Sequence, residues 1–285
     1  MVFEYLISPI NAEKKPWEML FVGFIYASIA IFLSLWIFEN LAGLVAVFFT
    51  VLASIPLVYS VTKIEEKKDI YNDTQRFLGR HTRAIAFFIF LFIGIISAFS
   101  VWYVFLPPAT TSVFFSVQYS TITKINNQVT FQNTTTDMFF KILMNNIRVL
   151  IFCVLFSLFY GVGAIFILTW NSSVIAVAIG NLIRDIMSKS MDKIGLMKVA
   201  QYFHAFSYGT MRYMLHGLPE MAAYFVGGLA GGIISMAIVR KDFRSDNFEK
   251  VIIDASELIL LAVAVLVFAA IIEVYVTPRF FNIHF

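Results

Sequence analysis

Apolar residues run along this chain in blocks of about 20, the length needed to cross bilayer hydrocarbon as one α-helix, with short polar stretches between them. Trp17 to Phe38 forms the first block, with Glu18 at its edge, and Leu41 to Val61 forms the second. Only Glu39 and Asn40 separate them, so the pair predicts an antiparallel helical hairpin. Residues 62–83 are charged and predict a water-facing loop, and Ala84 to Leu106 supplies a third span stopped by Pro107 and Pro108. Residues 1–106 thus read as an N-terminal set of membrane helices.

Residues 107–140 break this rhythm. They are rich in Thr, Asn and Gln, alternate in places between Ser112 and Thr123, and offer Asn126-Asn127 as turn residues, which predicts a small β-hairpin in a polar loop outside the membrane. Asn133-Thr134-Thr135 fits the N-glycosylation pattern and would need the same outward face.

Residues 141–285 hold the remaining membrane helices. Val149 to Ile183 carries no charge over 35 residues. As one helix it would run ~52 Å, against a core of about 30 Å, so a break is required. Trp170-Asn171-Ser172-Ser173 is the expected place, because Asn or Ser caps a helix that restarts. The run then divides into a span over residues 147–168 and a short arm, 171–187, which either crosses or stops partway. Residues 188–212 mix charged and apolar positions and predict an amphipathic helix in the interface. Spans over 215–239 and 258–276 complete the set: six if the arm is re-entrant, seven if it crosses, with six favoured.

Composition agrees with a lipid-covered molecule. Hydrophobic residues make up 60% of the chain and charged ones 14%, with mean hydropathy +0.82. A soluble domain carries roughly 25% charged residues, so the fold class is an all-α, polytopic integral membrane bundle. A net charge of +3 spread over short loops argues against nucleic acid as a partner and leaves the lipid bilayer as the main one. Residues 62–83 hold six Lys and Arg, and residues 107–140 hold Lys124 alone. The positive-inside rule then puts the N-terminus in the cytoplasm of a cell membrane. The lone cysteine, Cys153, sits in an apolar run and reads as a small buried hydrophobe.

Candidate chemistry is concentrated in a few polar residues inside apolar runs. Glu220 follows His216-Gly217-Leu218-Pro219, and nothing charged follows it until Arg240. An acid at membrane depth has a partner or a function. With Pro219 in a first helical turn, Glu220 would sit at a helix start, where the dipole favours negative charge. His216 and Glu220 stand at i, i+4, on one helical face. As metal ligands they are weak candidates, since a third ligand is lacking; no cofactor is implied. Asn145, Asn146 and Asn171 cap helices or bond across them, and with His216 and Glu220 they could line a polar chamber.

Gly227, Gly228, Gly231 and Gly232 form overlapping G-x-x-x-G pairs, and Gly161 and Gly163 add two small positions, all expected to let helices pack closely. The stripe could serve packing within the chain or a homo-oligomer. Glu273 reads as an interfacial acid. No P-loop, dinucleotide fingerprint, nucleophile elbow or H-E-x-x-H sequence occurs, which lowers the case for an enzyme.

The order Asn145-Asn146, Gly161-x-Gly163, Asn171, then His216-Gly217 followed by Glu220 and small residues resembles the stage II sporulation protein M family, in its archaeal and bacterial branch. The resemblance covers residues 140–240, and its most specific element is His-Gly-x-x-Glu. The chain departs from the family pattern at Asn171-Ser172, where Asn-Gly is common, and at Leu215, where proline precedes His-Gly. In spore-forming bacteria the resemblance implies a membrane scaffold that gathers cell-wall hydrolases. A scaffold or envelope-organising role is therefore the first expectation. A transporter or channel for a small solute, ion or lipid, built around Glu220, is the second, and an intramembrane hydrolase the third.

Overall fold

The apolar blocks fold as helices throughout the computed structural model, which describes residues 15–38, 41–71, 77–130, 135–160, 163–189, 195–239 and 246–281. The first two spans are α1 (Glu18–Ile37) and α2 (Ala42–Tyr71), followed by α3 (Phe77–Phe105). Two short helices come next, α4 (Pro108–Phe114) and α5 (Ser116–Thr130). The second half holds α6 (Thr135–Tyr160), α7 (Ala164–Ser188), α8 (Leu196–Val239) and α9 (Asp246–Ile271). After α9 comes one π turn (Ile272–Val276), and then α10 (Thr277–Phe281). Among the described residues seven helices are long and apolar enough to cross a membrane: α1, α2, α3, α6, α7, α8 and α9 with its continuation.

Three of the predicted features are overturned. Where a β-hairpin was expected, α4 and α5 are helical. Thr111, Phe114, Phe115 and Gln118 are buried, a spacing of three to four that marks one helical face. The hydroxyls of Thr111, Ser112, Ser120, Thr121 and Thr123 donate back to carbonyls three or four residues earlier, which removes the usual objection to Thr and Ser in a helix.

The break in the long uncharged run also lies elsewhere. α7 passes unbroken through Asn171, with the Ser173 hydroxyl donating to the Trp170 carbonyl at 2.7 Å. The chain instead reverses just before Ala164, whose free backbone N–H donates to Ser157 Oγ on α6 at 3.2 Å. The short arm is therefore part of a 25-residue helix long and apolar enough to cross, which brings the number of such helices among the described residues to seven instead of the favoured six.

A third correction concerns α8. Residues 196–212 are not a separate interfacial helix but the first part of a 44-residue helix with Pro219 in its interior. Glu220 is consequently nowhere near a helix start.

Close packing comes from small residues. α1 and α3 run parallel and cross at reciprocal glycines. A Cβ on Gly23 would meet the Leu91 backbone, and one on Gly94 would meet that of Leu20. One side of this crossing is fixed by Trp102 Nε1, which donates to Ser28 Oγ at 2.9 Å, while its ring meets Phe32 edge-on. α8 is the central helix, 72% of its most apolar 18-residue stretch being buried, while the corresponding stretches of α6 and α9 are 28% buried.

Buried hydroxyls on the spans are mostly satisfied within their own helix, as Ser34, Thr50, Ser54 and Thr62 show. Two longer-range side-chain links tie helices together. Arg184 on α7 donates to the Val104 carbonyl at the end of α3 and to the Leu106 carbonyl just beyond it, and stacks over Tyr103. Glu65 on α2 and His81 on α3 form a pair at 2.7 Å with essentially no exposure.

Candidate functional site

The site begins with the spacing of one helix. His216, Glu220 and Tyr224 lie at successive intervals of four on α8, so a single face presents all three. That face borders a cavity of about 200 Å³ lined by α6, α7, α8 and the π turn. All five polar residues singled out in the sequence line it: Asn145 and Asn146 from α6, Asn171 from α7, and His216 and Glu220 from α8. Lys141, Tyr224 and Glu273 complete its polar lining.

Within this set the five play different parts. Asn146 is buried, and its Nδ2 donates to Glu220 Oε1 at 2.6 Å, a short bond from an amide to an acid. Asn145 is exposed and stands at the mouth. Asn171 is half-buried and reaches the cavity from the opposite wall. His216 Nδ1 lies 3.5 Å from Thr277 Oγ1, a hydroxyl that also donates to the Ile272 carbonyl.

Glu273 overturns its expected place. It sits in the π turn and lines the same cavity as Glu220, so the two acids face one another there. The cause of the turn is local. Pro278 has no N–H to donate to Val274, and its ring crowds the carbonyl there, so the preceding turn widens. A carboxylate only accepts hydrogen bonds. Two carboxyl groups crowded into one low-dielectric cavity cannot both ionise without a large cost, so the pair shares a proton.

The glycine stripe sets this geometry. A Cβ on Gly227 would meet Leu150, one on Gly228 would meet Ala164, and one on Gly231 would meet the Val154 carbonyl. Gly232 is buried on the same helix. The stripe thus packs inside the chain and draws α6 and α7 against α8. Leu150 is one turn beyond Asn146, so this close approach is what brings Asn146 to Glu220. Gly163 stands at the turn into α7, where a Cβ would meet Phe156. Gly161 and the glycosylation candidate Asn133 lie outside the described residues.

Two members of the site were missed in the sequence. Glu273 is the sole charge between Leu258 and Val276, the same signal that singled out Glu220. Tyr224 extends the His216–Glu220 face by one more turn. Among the described residues no three His, Cys, Asp or Glu side chains are grouped to hold a metal ion. The cavity lining contains no Ser or Cys to act as a nucleophile.

The comparisons with known proteins bear on the same half of the molecule. The family model for stage II sporulation protein M matches residues 84–278, a stretch that runs from α3 to α10 and includes every residue of the cavity. No curated protein and no solved structure matches the chain. With well over half of its length matched, this multi-pass membrane protein belongs to the stage II sporulation protein M family.

Proposed function

We propose that the chain is a carrier for a small solute, with the cavity between α6, α7 and α8 as its binding site. The observation that supports this reading best is the facing pair Glu220 and Glu273 beside open space. An acid buried only to hold helices together is expected to be closed off by its partners. Here two acids face each other, an arrangement that costs stability, next to room for a ligand of several heavy atoms. Intramembrane acids that line cavities mark substrate and ion pathways. With no Ser or Cys in the cavity lining and no metal-ligand group among the described residues, the hydrolase has less support than the carrier.

The test is solute flux in vesicles containing the purified protein, compared with the Glu220→Gln variant, with folding scored in parallel. Intact folding with altered flux supports the carrier. Loss of folding in the variant, with no flux in the parent, removes it.

A scaffold role is the second reading, supported by the length of α8. At 1.5 Å per residue its 44 residues extend ~66 Å, about twice the hydrocarbon core. Its first part therefore projects beyond the core with Leu196, Met197, Phe203 and Met211 exposed. Apolar side chains on a projecting helix suit the gathering of partner proteins. Orientation follows the lysine and arginine counts: N-terminus cytoplasmic, α4 and α5 outside, and, after seven spans, the C-terminal end outside as well.

A further inference from the structure

The chamber's charge and its unmet hydrogen bonds narrow the ligand. We propose that it is a monovalent cation, either an alkali ion or a small primary ammonium, which enters by displacing the proton held between Glu220 and Glu273. This deepens the carrier reading and rests on it.

Charge conservation is the first argument. With one proton between them the two carboxyl groups carry one negative charge; with a monovalent cation in place of the proton they carry the same. Such an exchange moves no net charge into a low-dielectric site, where an added charge is expensive. A divalent ion would alter the balance by a full charge, and the grouped acidic ligands that such an ion takes are lacking among the described residues. An anion would face two acids, and a neutral solute has no need of them.

The second argument is independent of the acids. Tyr224 lines the cavity and is only 3% exposed, yet its hydroxyl has no hydrogen-bond partner among the described residues. With its ring buried and its hydroxyl making no bond to those residues, Tyr224 is placed to meet what enters the chamber. Asn171, on the facing wall, likewise lines the cavity with its amide uncommitted among those residues. A hydroxyl and an amide carbonyl are hard oxygen donors for an alkali ion, and both also accept from an ammonium group. The volume of about 200 Å³ admits an alkali ion with several waters, or an amine of a few carbons. The other titratable groups facing the pair are Lys141 from α6 and His216 and Tyr224 from α8, with Arg212 beyond His216 and Cys153 beyond Tyr224.

The experiment uses the purified full chain in weakly buffered detergent, titrated with sodium, potassium or ethylammonium chloride, with tetrabutylammonium chloride as an oversized control. The expected result is release of about one proton for each cation bound. Apparent affinity should gain about tenfold per pH unit while the pair still holds its proton, as for any ligand that displaces one. A preference for the metal ions or for ethylammonium identifies which source of positive charge the site takes.

Glu273→Gln should abolish proton release and weaken binding at least tenfold, and Tyr224→Phe should weaken it several-fold with release intact. Binding without proton release overturns the proposal, as does failure of all three cations to bind the folded parent protein. Flux in vesicles separates this inference from the one beneath it. Cation binding with proton release but without transport keeps the ligand and removes the carrier, whereas transport of a neutral solute alone does the reverse.

Discussion

Glu65 and Glu220 are both acids buried in the same bundle, and their surroundings have little in common. Glu65 meets His81 at 2.7 Å across α2 and α3, and both side chains are almost fully buried. Glu220 meets Asn146 on one side and a second acid on the other, and borders open volume. The first arrangement pairs groups of opposite tendency and closes over them, which is how a bundle fixes two helices. The second sets like against like and leaves space, which packing alone does not favour. Burial of an acid in a membrane protein is therefore not by itself a mark of function; what faces the acid, and whether there is room beside it, distinguishes the two.

The largest expected effect comes from breaking the closed pair. Glu65→Leu leaves His81 buried opposite a leucine and should cost about 3–5 kcal/mol of stability, read as a lowered melting temperature in detergent, with much of it restored by adding His81→Leu. A variant that melts like the parent would erase the contrast drawn above. Next in size, Gly231→Leu forces α6 off α8 at the Val154 carbonyl and should cost about 1–3 kcal/mol. Because the same contact holds Asn146 to Glu220, cation binding should fall with it.

Glu220→Gln should sharpen the comparison from the other side. The new amide still accepts from Asn146 and relieves the facing acids, so stability should move by less than about 1 kcal/mol while flux is lost. A melting shift as large as that of Glu65→Leu would show the two sites to be alike. The smallest effect is expected at the surface. In a Cys153→Ala background, Ser120→Cys and Arg279→Cys should each alter stability by about 0.5 kcal/mol or less. Both should react with a membrane-impermeant thiol reagent from the outer face, and labelling from opposite faces would refute the seven-span layout.

Much of the site was legible from single residues, because a bilayer makes every polar group inside it conspicuous. Asn145, Asn146, Asn171, His216 and Glu220 stand out against apolar neighbours and line one cavity. What the sequence hid was position along helices. Pro219 looks like a helix start, yet α8 runs through it, since packing on three sides outweighs one missing hydrogen bond. Asn171 looks like a turn, but α7 starts earlier, at Ala164 after Gly163, and Ser157 satisfies the N–H exposed there. In α4 and α5, local alternation of Thr and Ser suggested strands, while the wider spacing of Phe114, Phe115 and Gln118 carried the helical signal. The reciprocal pair Gly23 and Gly94 lies in two different spans, and one sequence gives no means of matching them.

The π turn at Ile272–Val276 also has a meaning in terms of phase. A π turn holds one residue more than the α-helix it interrupts, and each residue advances a helix by about 100°. The turn thus acts as a one-residue phase shift between two stretches that each face α8: α9 before it, and beyond it Thr277 and Phe281, which meet His216 and Tyr208. With the shift in place, both stretches keep their faces on α8 and Glu273 points at Glu220. A chain shorter by that one residue would keep its composition, its span length and both acids, but those faces would fall out of step.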